Sequence, residues 1–537
     1  MDVFVAIMYI IIYDFGTSSL KTCLFDAGEK IAVAATSNTS YGLHILENGG
    51  AEQDVGEWWQ AVCKTTRELF DKTDIRPEEV SGLAFCAQMQ GVVLVDENGK
   101  ALRPAMSYMD SRGVREYRDC MGKGLVKVSG CSLYKLLRNL RVNYAGSTSA
   151  KDPVWKYKWV ENNEPEIFAK VDKWLDVSDY LVSRCTGKII RTADTAFATF
   201  LYDTRKGKEG WNKGLLKMYK VKPGHMPPII DCTDLVGGLT AEAARDLGLK
   251  EGTPVFGGGG DTTFVNIGAG CVEPGETHIY VGTSGWVSTC LDYQTVDINA
   301  MITGVLSANR GYFNYYAELE TAGKCYEWVK NHLALDEISI YLEKTEVTDD
   351  FESKFTSLYD FMSAEASKVP PGANGVIFTP WLHGNRCPFE DANAAGMFFN
   401  IRIDTGKRDM IRAVLEGICY HLRWLLECEA KKVKTSDVIR FVGGGSLSPV
   451  ISQMLADITG RTIETVDNAQ AVGAMGCAIV VAAGLTGEDV KDVSRRLVKV
   501  SQTYYPDPGN KAVYERNYKV FKNLYRSNAE NFRRLNG

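Results

Sequence analysis

Two segments of the chain repeat one pattern of apolar and polar positions. In each, an apolar stretch leads into a turn that begins with Gly-Thr-Ser, and a second apolar stretch follows. YIIIYDF precedes residues 16–26 (GTSSLKTCLFD), and HIYV precedes residues 282–292 (GTSGWVSTCLD). Apolar runs of strand length on both sides of such a turn predict a β-hairpin. Because this hairpin opens twice in one chain, the repeat predicts two α/β domains of similar build.

The regions between and after the hairpins predict how the domains are divided. Residues 155–219 are rich in helix and turn patterns, and residues 235–254 contain a short amphipathic helix bounded by glycines, which predicts a domain boundary. We therefore expect an N-terminal domain over residues 8–254 and a C-terminal domain over residues 255–486. The pattern also predicts helices at residues 321–333, 408–429 and 449–459.

A third segment, residues 487–537, is expected to pack back on the body as a helical element. Tyr514, Tyr518, Phe521 and Tyr525 recur at helical spacing with basic residues between them. A stripe of this kind can bind RNA, but it is more often an amphipathic helix packed on its own domain. The packed helix is the favoured interpretation.

Composition narrows the class of protein. The 537 residues carry 61 Lys and Arg against 67 Asp and Glu, a formal net charge of −6, with 24% charged and 45% hydrophobic residues. These values, with a mean hydropathy of −0.16, are typical of soluble globular chains and exclude a disordered chain or a membrane bundle. The modest acidity predicts no nucleic-acid partner.

The apolar run at residues 3–13 is too short to cross about 30 Å of hydrocarbon, so it predicts a buried strand and no membrane association. Residues before Met8 are interpreted as an upstream extension without a function. Fourteen cysteines without a CxxC pair are typical of a reducing compartment, and we expect a cytoplasmic protein. With six histidines and no HExxH pattern, a structural zinc is not expected.

The first hairpin turn has the chemistry of a phosphate site. Backbone N–H groups at Gly16, with the hydroxyl groups of Thr17 and Ser18, form an anion-binding concavity. Lys21 adds a cation, and Asp14 at the strand end can hold Mg²⁺ directly or through water. For one copy alone, an ordinary hairpin is the favoured interpretation.

The second turn, Gly282, Thr283 and Ser284, changes that balance. Two such turns that face each other across a cleft would hold a polyphosphate from both sides. Neither turn is a P-loop, because no GxxxxGK[ST] occurs in the chain.

Two glycine runs precede further candidates. The four glycines at residues 257–260 let the backbone approach a ligand, and Asp261 after them can accept a proton from a hydroxyl; a turn or helix cap is the structural alternative. Gly443, Gly444 and Gly445 follow a predicted strand and precede a helix, where ligands collect in open α/β sheets, although a plain turn is equally expected. The missing GxGxxG spacing disfavours a dinucleotide.

A further cluster suits a ligand with many hydroxyl groups. Amide, carboxylate and aromatic side chains can pair each buried hydroxyl and cover a carbon skeleton. Taken singly, these residues are ordinary for a surface or a core. They are Gln88, Met89, Gln90, Gly91, Tyr108 and Asp110.

Several longer segments carry a family resemblance. They are residues 155–163 (WKYKWVENN), 380–400 (PWLHGNRCPFEDANAAGMFFN), 412–423 (RAVLEGICYHLR) and 443–460 (GGGSLSPVISQMLADITG). Together with the glycine turns, in this order along nearly the whole chain, they resemble the FGGY carbohydrate kinases, and most closely the xylulokinase branch. The resemblance implies an α/β fold of two actin-like (ribonuclease H-like) domains with a central cleft, which binds ATP with the sugar deeper in.

The resemblance also implies residue roles. Asp261 is the base that takes the proton of the substrate hydroxyl, and Asp14 belongs to the Mg²⁺ site. Phosphates are held by Gly16, Thr17, Ser18, Lys21, Gly282, Thr283 and Ser284. The adenosine pocket is lined by Gly443, Gly444, Gly445 and Gly323. The sugar site contains Gln88, Met89, Gln90, Gly91, Tyr108, Asp110 and Thr262.

Departures from the branch leave the substrate open. Xylulokinases usually carry His at the position of Gln90 and Asn at that of Thr262, both next to the sugar, and Glu at that of Asn385. D-xylulose is one candidate, and glycerol, ribulose, gluconate or another polyol is the alternative. A homodimer is implied by resemblance alone.

Two other classes are weaker alternatives. A non-catalytic actin-like nucleotide-binding protein would keep both turns but would need no sugar pocket, so Asp261 and residues 88–90 argue against it. An oxidoreductase is remote because GxGxxG is absent.

Overall fold

The computed structural model describes residues 8–128, 130–334 and 358–537. The predicted extension before Met8 lies outside the described residues. Two large sheets organise the chain, and each begins with one of the two predicted hairpins. The hairpin prediction is therefore confirmed at both places.

The first sheet has the order β16-β17-β6-β1-β2-β3, with β18 paired to β6. The β1–β2 and β2–β3 pairs are antiparallel, whereas β6 runs parallel to β1 and to β17. β17 begins at residue 254 and β18 follows it, and both pair with β6, so this sheet continues past the predicted boundary. Its strands are β1 (Tyr9–Phe15), β2 (Ser19–Ala27), β3 (Ile31–Ser40), β6 (Val80–Ala87), β16 (Leu235–Gly238), β17 (Pro254–Phe256) and β18 (Gly259–Gly260).

The second sheet has the order β21-β22-β23-β20-β19-β26-β27-β28. Here β19–β20 and β20–β23 are antiparallel, and β19, β26 and β27 are parallel, so its centre repeats the topology of the first sheet. Its strands are β19 (Thr277–Val281), β20 (Gly285–Leu291), β21 (Val296–Asp297), β22 (Ile302–Leu306), β23 (Phe313–Leu319), β26 (Val438–Val442), β27 (Thr462–Val466) and β28 (Val500–Tyr504).

Short strands form the small sheets around these two. They are β4 (His44–Ile45), β5 (Ala51–Gln53) and β8 (Ala105–Met106) in one sheet, and the pairs β7 (Val93–Val95) with β11 (Lys173–Leu175), β9 (Lys127–Val128) with β10 (Cys131–Ser132), β12 (Arg191–Thr192) with β15 (Ile229–Ile230), β13 (Tyr202–Asp203) with β14 (Gly210–Trp211) and β24 (Ile377–Thr379) with β25 (Met397–Phe399).

The α-helices of the described residues are α1 (Val55–Phe70), α2 (Val114–Met121), α3 (Leu133–Asn143), α4 (Pro153–Asn163), α5 (Pro165–Phe168), α6 (Val177–Thr186), α7 (Ala193–Phe197), α8 (Lys213–Tyr219), α9 (Ala241–Leu247), α10 (Asp261–Gly268), α11 (Gly323–Val329), α12 (Leu358–Ser367), α13 (Lys407–Ala430), α14 (Pro449–Thr459), α15 (Val472–Thr486), α16 (Val490–Leu497) and α17 (Lys511–Asn536). The helices predicted in the second half correspond to α11, α13 and α14. The one predicted near residues 321–333 ends as an α-helix at Val329 and continues as a π-helix, Lys330–Ala334.

The C-terminal helix α17 packs on the lobe that is built around the second sheet, as the aromatic spacing predicts. Tyr514, Tyr518 and Phe521 are buried in the core of the second sheet. The Tyr514 hydroxyl accepts a hydrogen bond at 2.9 Å from the buried Arg412 on α13. The aromatic side of the stripe therefore belongs to the core, which leaves its basic residues as a solvated face.

Two central helices connect the sheets. α15 packs on β1 and β6 of the first sheet and crosses α10, and both helices contribute to one core that also contains Trp286 and Val442 of the second sheet. One stretch of the described chain, Ala469–Thr486, has the length and apolar composition of a membrane span, yet it is mostly buried in this core. Most of the fourteen free cysteines are buried, as expected for small core residues.

Glycines bring α10 and α15 into backbone contact. A Cβ atom at Gly476 would lie 2.1 Å from the carbonyl oxygen of Phe264, and one at Gly268 would lie 2.1 Å from that of Val472. Any side chain at these positions would push the helices apart. Because α10 begins with Asp261, this crossing also sets the position of the predicted catalytic residue.

We predict that Gly476→Ala destabilises the protein although alanine is the better helix former. The overlap with the Phe264 carbonyl is expected to lower the free energy of unfolding by roughly 1–3 kcal/mol. Gly473→Ala on the same helix is the matched control, since its Cβ would meet the nearest atom at 3.7 Å. It is expected to be neutral or to stabilise by up to about 1 kcal/mol. Urea unfolding of both variants measures the difference, and equal stability of the two would contradict the crossing geometry.

Candidate active site

The first turn brings a carboxylate and open backbone together. Asp14 lies near the end of β1 opposite Lys21 on β2, and the Gly16 N–H donates to the Ser19 carbonyl at 3.0 Å to close the turn. Burial raises the pKa of Asp14 to about 6, while the charge of Lys21 opposes the shift. The hydroxyl of Tyr41 donates to the Gly16 carbonyl and fixes this turn from the side of β3.

Asp261 belongs to the same sheet edge as Asp14, because Gly260 before it pairs with Ala87 on β6, and Ala87 pairs with Phe15 on β1. Asp261 follows β18 and is the first residue of α10. Burial, together with the negative charge of Asp14, raises its pKa to about 7. Both acids are partly exposed and stand at the carboxyl ends of β1 and β18, which both pair with β6.

The second turn joins β19 to β20. The Gly323 N–H donates to the Gly282 carbonyl at 2.9 Å, and the Lys324 N–H donates to that of Thr283 at 3.1 Å. A Cβ at Gly323 would lie 2.2 Å from the Gly282 carbonyl oxygen, so only glycine lets α11 start against this turn.

The glycines at residues 443–445 pack against the same turn. Gly443 has a φ of +87°, and a Cβ there would lie 2.6 Å from the Val281 carbonyl oxygen. A Cβ at Gly445 would lie 2.7 Å from Val281 Cγ1, whereas Gly444 faces open space. The structure therefore brings Gly323 and residues 443–445 together at the second turn.

Tyr280 packs against the core that contains residues of both sheets. It lies on β19, two residues before Gly282, and stacks on Trp286 with ring centroids 3.8 Å apart. Burial raises its pKa to about 12, and the charges of Asp14 and Asp261 add to the shift. The charges of both acids therefore influence the pKa of a residue on the second sheet.

The predicted sugar loop is tied to the first turn by amides. The Gln88 N–H donates to the Phe15 carbonyl at 2.8 Å, and its side-chain amide donates to Gln53 Oε1 at 2.8 Å. Gln53 in turn donates to the Thr17 carbonyl at 2.7 Å. Gln88 Oε1 is buried and has no hydrogen-bond partner among the described residues, which leaves an acceptor for a ligand hydroxyl.

Gln90 and Gly91 are held by buried charges. Gln90 has a φ of +65°, and Asp176 accepts hydrogen bonds from its N–H at 3.0 Å and from that of Gly91 at 2.8 Å. Lys156, which is completely buried, donates to the carbonyls of Gln90 at 2.6 Å and Ser107 at 2.9 Å. Burial lowers the pKa of this lysine to about 8. The strained backbone at Gln90 is therefore fixed from both sides.

The remaining predicted sugar residues have different surroundings. Thr262 Oγ1 donates to Met89 Sδ at 3.3 Å, so both residues lie beside the acid. The Tyr108 hydroxyl lies 3.1 Å from Thr17 Oγ1, which places it beside the first turn. Asp110 is completely buried, and its carboxylate accepts from the Ala51 N–H and the Arg112 guanidinium. A role of Asp110 towards the sugar stays a prediction.

The sequence analysis did not predict a role for three polar residues of this region, Gln53, Asp176 and Asp194. Gln53, Asp176 and Asp194 bond to partners 35 to 86 positions away, so no local spacing marks them. The one available signal was at Asp176, which with Asp179 forms a capping box at the start of α6. Lys156 lies in the family-like segment at residues 155–163, but the sequence predicts no contact for it.

The residues at the acids fit a hydrated magnesium ion. No cluster of three or more His, Cys, Asp or Glu side chains suited to a metal occurs in the described parts of the chain. Mg²⁺ usually needs no such cage, because it binds one or two carboxylates, water and substrate phosphates. Asp14 and Asp261, two carboxylates at the same end of the first sheet, are suited to such an ion.

Each of the two large sheets begins with a glycine hairpin, and a common core joins them. This is the arrangement expected of a phosphotransferase. The sequence models of the FGGY family of carbohydrate kinases match this chain, the N-terminal domain over residues 9–268 and the C-terminal domain over residues 278–485. A xylulose kinase from Staphylococcus epidermidis is 30% identical over 530 residues, which cover 96% of this chain and 95% of that protein.

Solved structures agree on the fold. A ligand-bound xylulose kinase from Lactobacillus acidophilus superposes with a TM-score of 0.83 at 22% identity and covers 98% of this chain and 100% of that chain. Gluconate kinase from the same organism gives a TM-score of 0.81 at 22% identity, with 99% and 100% covered. The prediction of two actin-like domains around a cleft is confirmed.

The chain belongs to the FGGY family of carbohydrate kinases. It is an ATP-dependent carbohydrate kinase, a phosphotransferase with an alcohol group as acceptor.

Proposed function

We propose that this kinase transfers the γ-phosphoryl group of ATP to one hydroxyl of a ketose or polyol, with Asp261 as the base and D-xylulose as the first candidate substrate. The observation that carries the proposal is the position of Asp261. It begins α10 at the carboxyl end of β18, and its neighbour Thr262 donates a hydrogen bond to Met89 of the predicted sugar site.

The chemistry follows from this position. As the acceptor oxygen bonds to the γ-phosphorus, the bond from phosphorus to the β–γ bridging oxygen breaks and ADP leaves, while the hydroxyl proton passes to the Asp261 carboxylate. A base works best when its pKa lies near the working pH. The raised pKa of about 7 at Asp261 meets that condition.

The negative charge of the ATP triphosphate requires hydrogen-bond donors on both of its sides. The tips of both turns are accessible at Ser18 and Thr283, and each turn offers backbone N–H and hydroxyl groups. We assign Gly16, Thr17, Ser18 and Lys21, with Gly282, Thr283 and Ser284, to the phosphates. Mg²⁺, held through Asp14, would neutralise phosphate charge in the complex.

The adenosine is assigned to the glycine surface formed by Gly323 and residues 443–445. These residues pack without side chains against the second turn, so the backbone is left open where a nucleoside would continue from the phosphates.

The sugar is assigned to the loop at residues 88–91, with Thr262 and Tyr108. The free acceptor at Gln88 Oε1 suits a substrate hydroxyl. Gln90 and Thr262 are the positions at which this chain differs from xylulokinases, and a mismatched buried hydroxyl costs about 1–3 kcal/mol. Gluconate or another polyol is therefore the second candidate, favoured by the likeness to a gluconate kinase.

The experiment that tests this function is a panel of pentuloses, hexuloses, polyols and sugar acids in a coupled assay of ADP release. We expect one of these classes to give saturable ADP release, with kcat/KM at least about tenfold above the next class, the effect of about 1.4 kcal/mol. If no member of the panel stimulates ADP release, the proposed class of acceptor is contradicted.

We predict that Asp261→Asn abolishes phosphoryl transfer, because the amide cannot accept the hydroxyl proton. The expected loss in kcat is about 10²–10⁴-fold. ATP binding, measured by calorimetry on the same variant, is expected to stay within a few-fold of wild type. Wild-type turnover by Asp261→Asn would remove this residue from the mechanism.

We predict that Asp14→Asn raises the Mg²⁺ concentration needed for half-maximal activity, because one carboxylate ligand is lost. Titration of activity with Mg²⁺ at fixed ATP measures the shift, which we expect to be at least about tenfold. Asp26→Asn on the neighbouring strand β2 is the control, since Asp26 lies at the far end of the hairpin. An unchanged Mg²⁺ midpoint for Asp14→Asn would contradict the assignment.

A further inference from the structure

The loop that carries Asp261 has an unusual backbone. Gly258 has a φ of +63° and Gly259 one of +152°, conformations that other residues rarely adopt. On one side, Gly259 and Gly260 pair with β6. On the other side the loop meets a single buried carboxylate, that of Asp194 on α7.

Asp194 makes three contacts to this region. Its Oδ2 accepts a hydrogen bond from the Gly260 N–H at 2.7 Å and from Thr263 Oγ1 at 3.1 Å, and its Oδ1 accepts one from Cys232 Sγ at 3.5 Å. The residues that it contacts on the loop therefore lie one position before and two positions after Asp261. A displacement of Asp194 would move the backbone on both sides of the acid.

The approach of Asp194 is as close as the chain allows. A Cβ at Gly259 would lie 2.5 Å from Asp194 Oδ2, so only glycine fits. Asp194 is 1% exposed and forms no ion pair within the described ranges, which leaves hydrogen-bond donors to balance its charge. A buried charge is stable only when such donors are in place, so the contact is rigid rather than incidental.

The same short helix also connects to the sugar loop. Thr195, the residue after Asp194, donates to Asp179 at 3.1 Å, and Asp179 accepts the N–H of Asp176 at 3.0 Å. Asp176 holds the N–H groups of Gln90 and Gly91. Arg191 lies 3.6 Å from both of these acids and balances their charge.

We infer that Asp194 is a positioning residue of this kinase. It fixes the position of the Asp261 loop relative to the sugar loop at residues 88–91. The inference rests on the proposed function, because it gives Asp261 the role of the base. Asp194 touches neither substrate nor the reacting atoms. Its effect is to hold the base within reach of the hydroxyl that the sugar loop presents, where a displacement of about 1 Å can lower the rate about 10²-fold.

The test compares Asp194→Ala and Asp194→Asn by steady-state kinetics with ATP and with the sugar that gives the highest turnover in the panel. For Asp194→Ala we expect kcat to fall about 100-fold while KM for ATP stays within about twofold, because the nucleotide site is untouched. Asn keeps an acceptor for the Gly260 N–H, so Asp194→Asn is expected to retain more activity, with a loss of about tenfold.

Asp203→Ala is the matched control. Asp203 is a buried carboxylate of the same lobe, and its partners are Arg205 and Asn212 rather than residues of the Asp261 loop. It is expected to lower the thermal midpoint but to keep kcat per folded protein within about threefold. A general loss of packing in the lobe would affect the control and the Asp194 variants alike, whereas a positioning role affects only the latter.

The inference is overturned if folded Asp194→Ala keeps kcat within threefold of wild type, or if its defect lies in KM for ATP alone. If Asp194→Ala does not fold, the isosteric Asp194→Asn decides, and a kcat within twofold of wild type overturns the inference. Asp261→Asn is measured in parallel. Full activity of that variant defeats the proposed base, whereas an inactive Asp261→Asn beside an active Asp194→Ala defeats only the positioning role.

Discussion

The arrangement of the whole molecule depends on the backbone contact between α10 and α15. Each sheet alone is an ordinary α/β layer. The close crossing at Gly268 and Gly476 packs the two layers around one core. Since α10 begins with Asp261, the same contact that joins the lobes also brings the acid to the cleft. Packing and chemistry are therefore set by one pair of glycines, at which a single methyl group would overlap the opposite backbone.

Electrostatics in the cleft follow from that packing. Asp14 and Asp261 are partly buried, and each has a raised pKa. Their mutual repulsion is relieved when a cation or a proton arrives, and the proposed reaction supplies both. Around them, Asp194, Asp176 and Lys156 are buried groups that bind backbone rather than substrate. Their hydrogen bonds orient the loops before a ligand enters, which is the pre-organisation that phosphoryl transfer requires.

The repeated parts of this structure were predictable from sequence. Apolar runs on both sides of the Gly-Thr-Ser turns determine both hairpins, and the aromatic spacing at Tyr514 and Tyr518 determines a packed C-terminal helix, because these are local patterns. Glycine runs also marked the backbone around Asp261 and Gly443, where positive φ values are found. Long-range contacts were not predictable. Nothing near Asp194 in the sequence indicates that its carboxylate meets Gly260, since that contact exists only once two sheets and a helix have been assembled.

The central claim is that both turns hold one triphosphate and that Asp261 reaches the acceptor hydroxyl. A crystal structure with Mg²⁺, a non-hydrolysable ATP analogue and the preferred sugar tests it directly. The account predicts phosphate oxygens within hydrogen-bond distance of backbone N–H groups at residues 16–18 and 282–284, with an Asp261 oxygen about 2.6–3.2 Å from one sugar hydroxyl. A triphosphate that contacts only one turn, or a sugar bound with Asp261 beyond the reach of its hydroxyl groups, would contradict it.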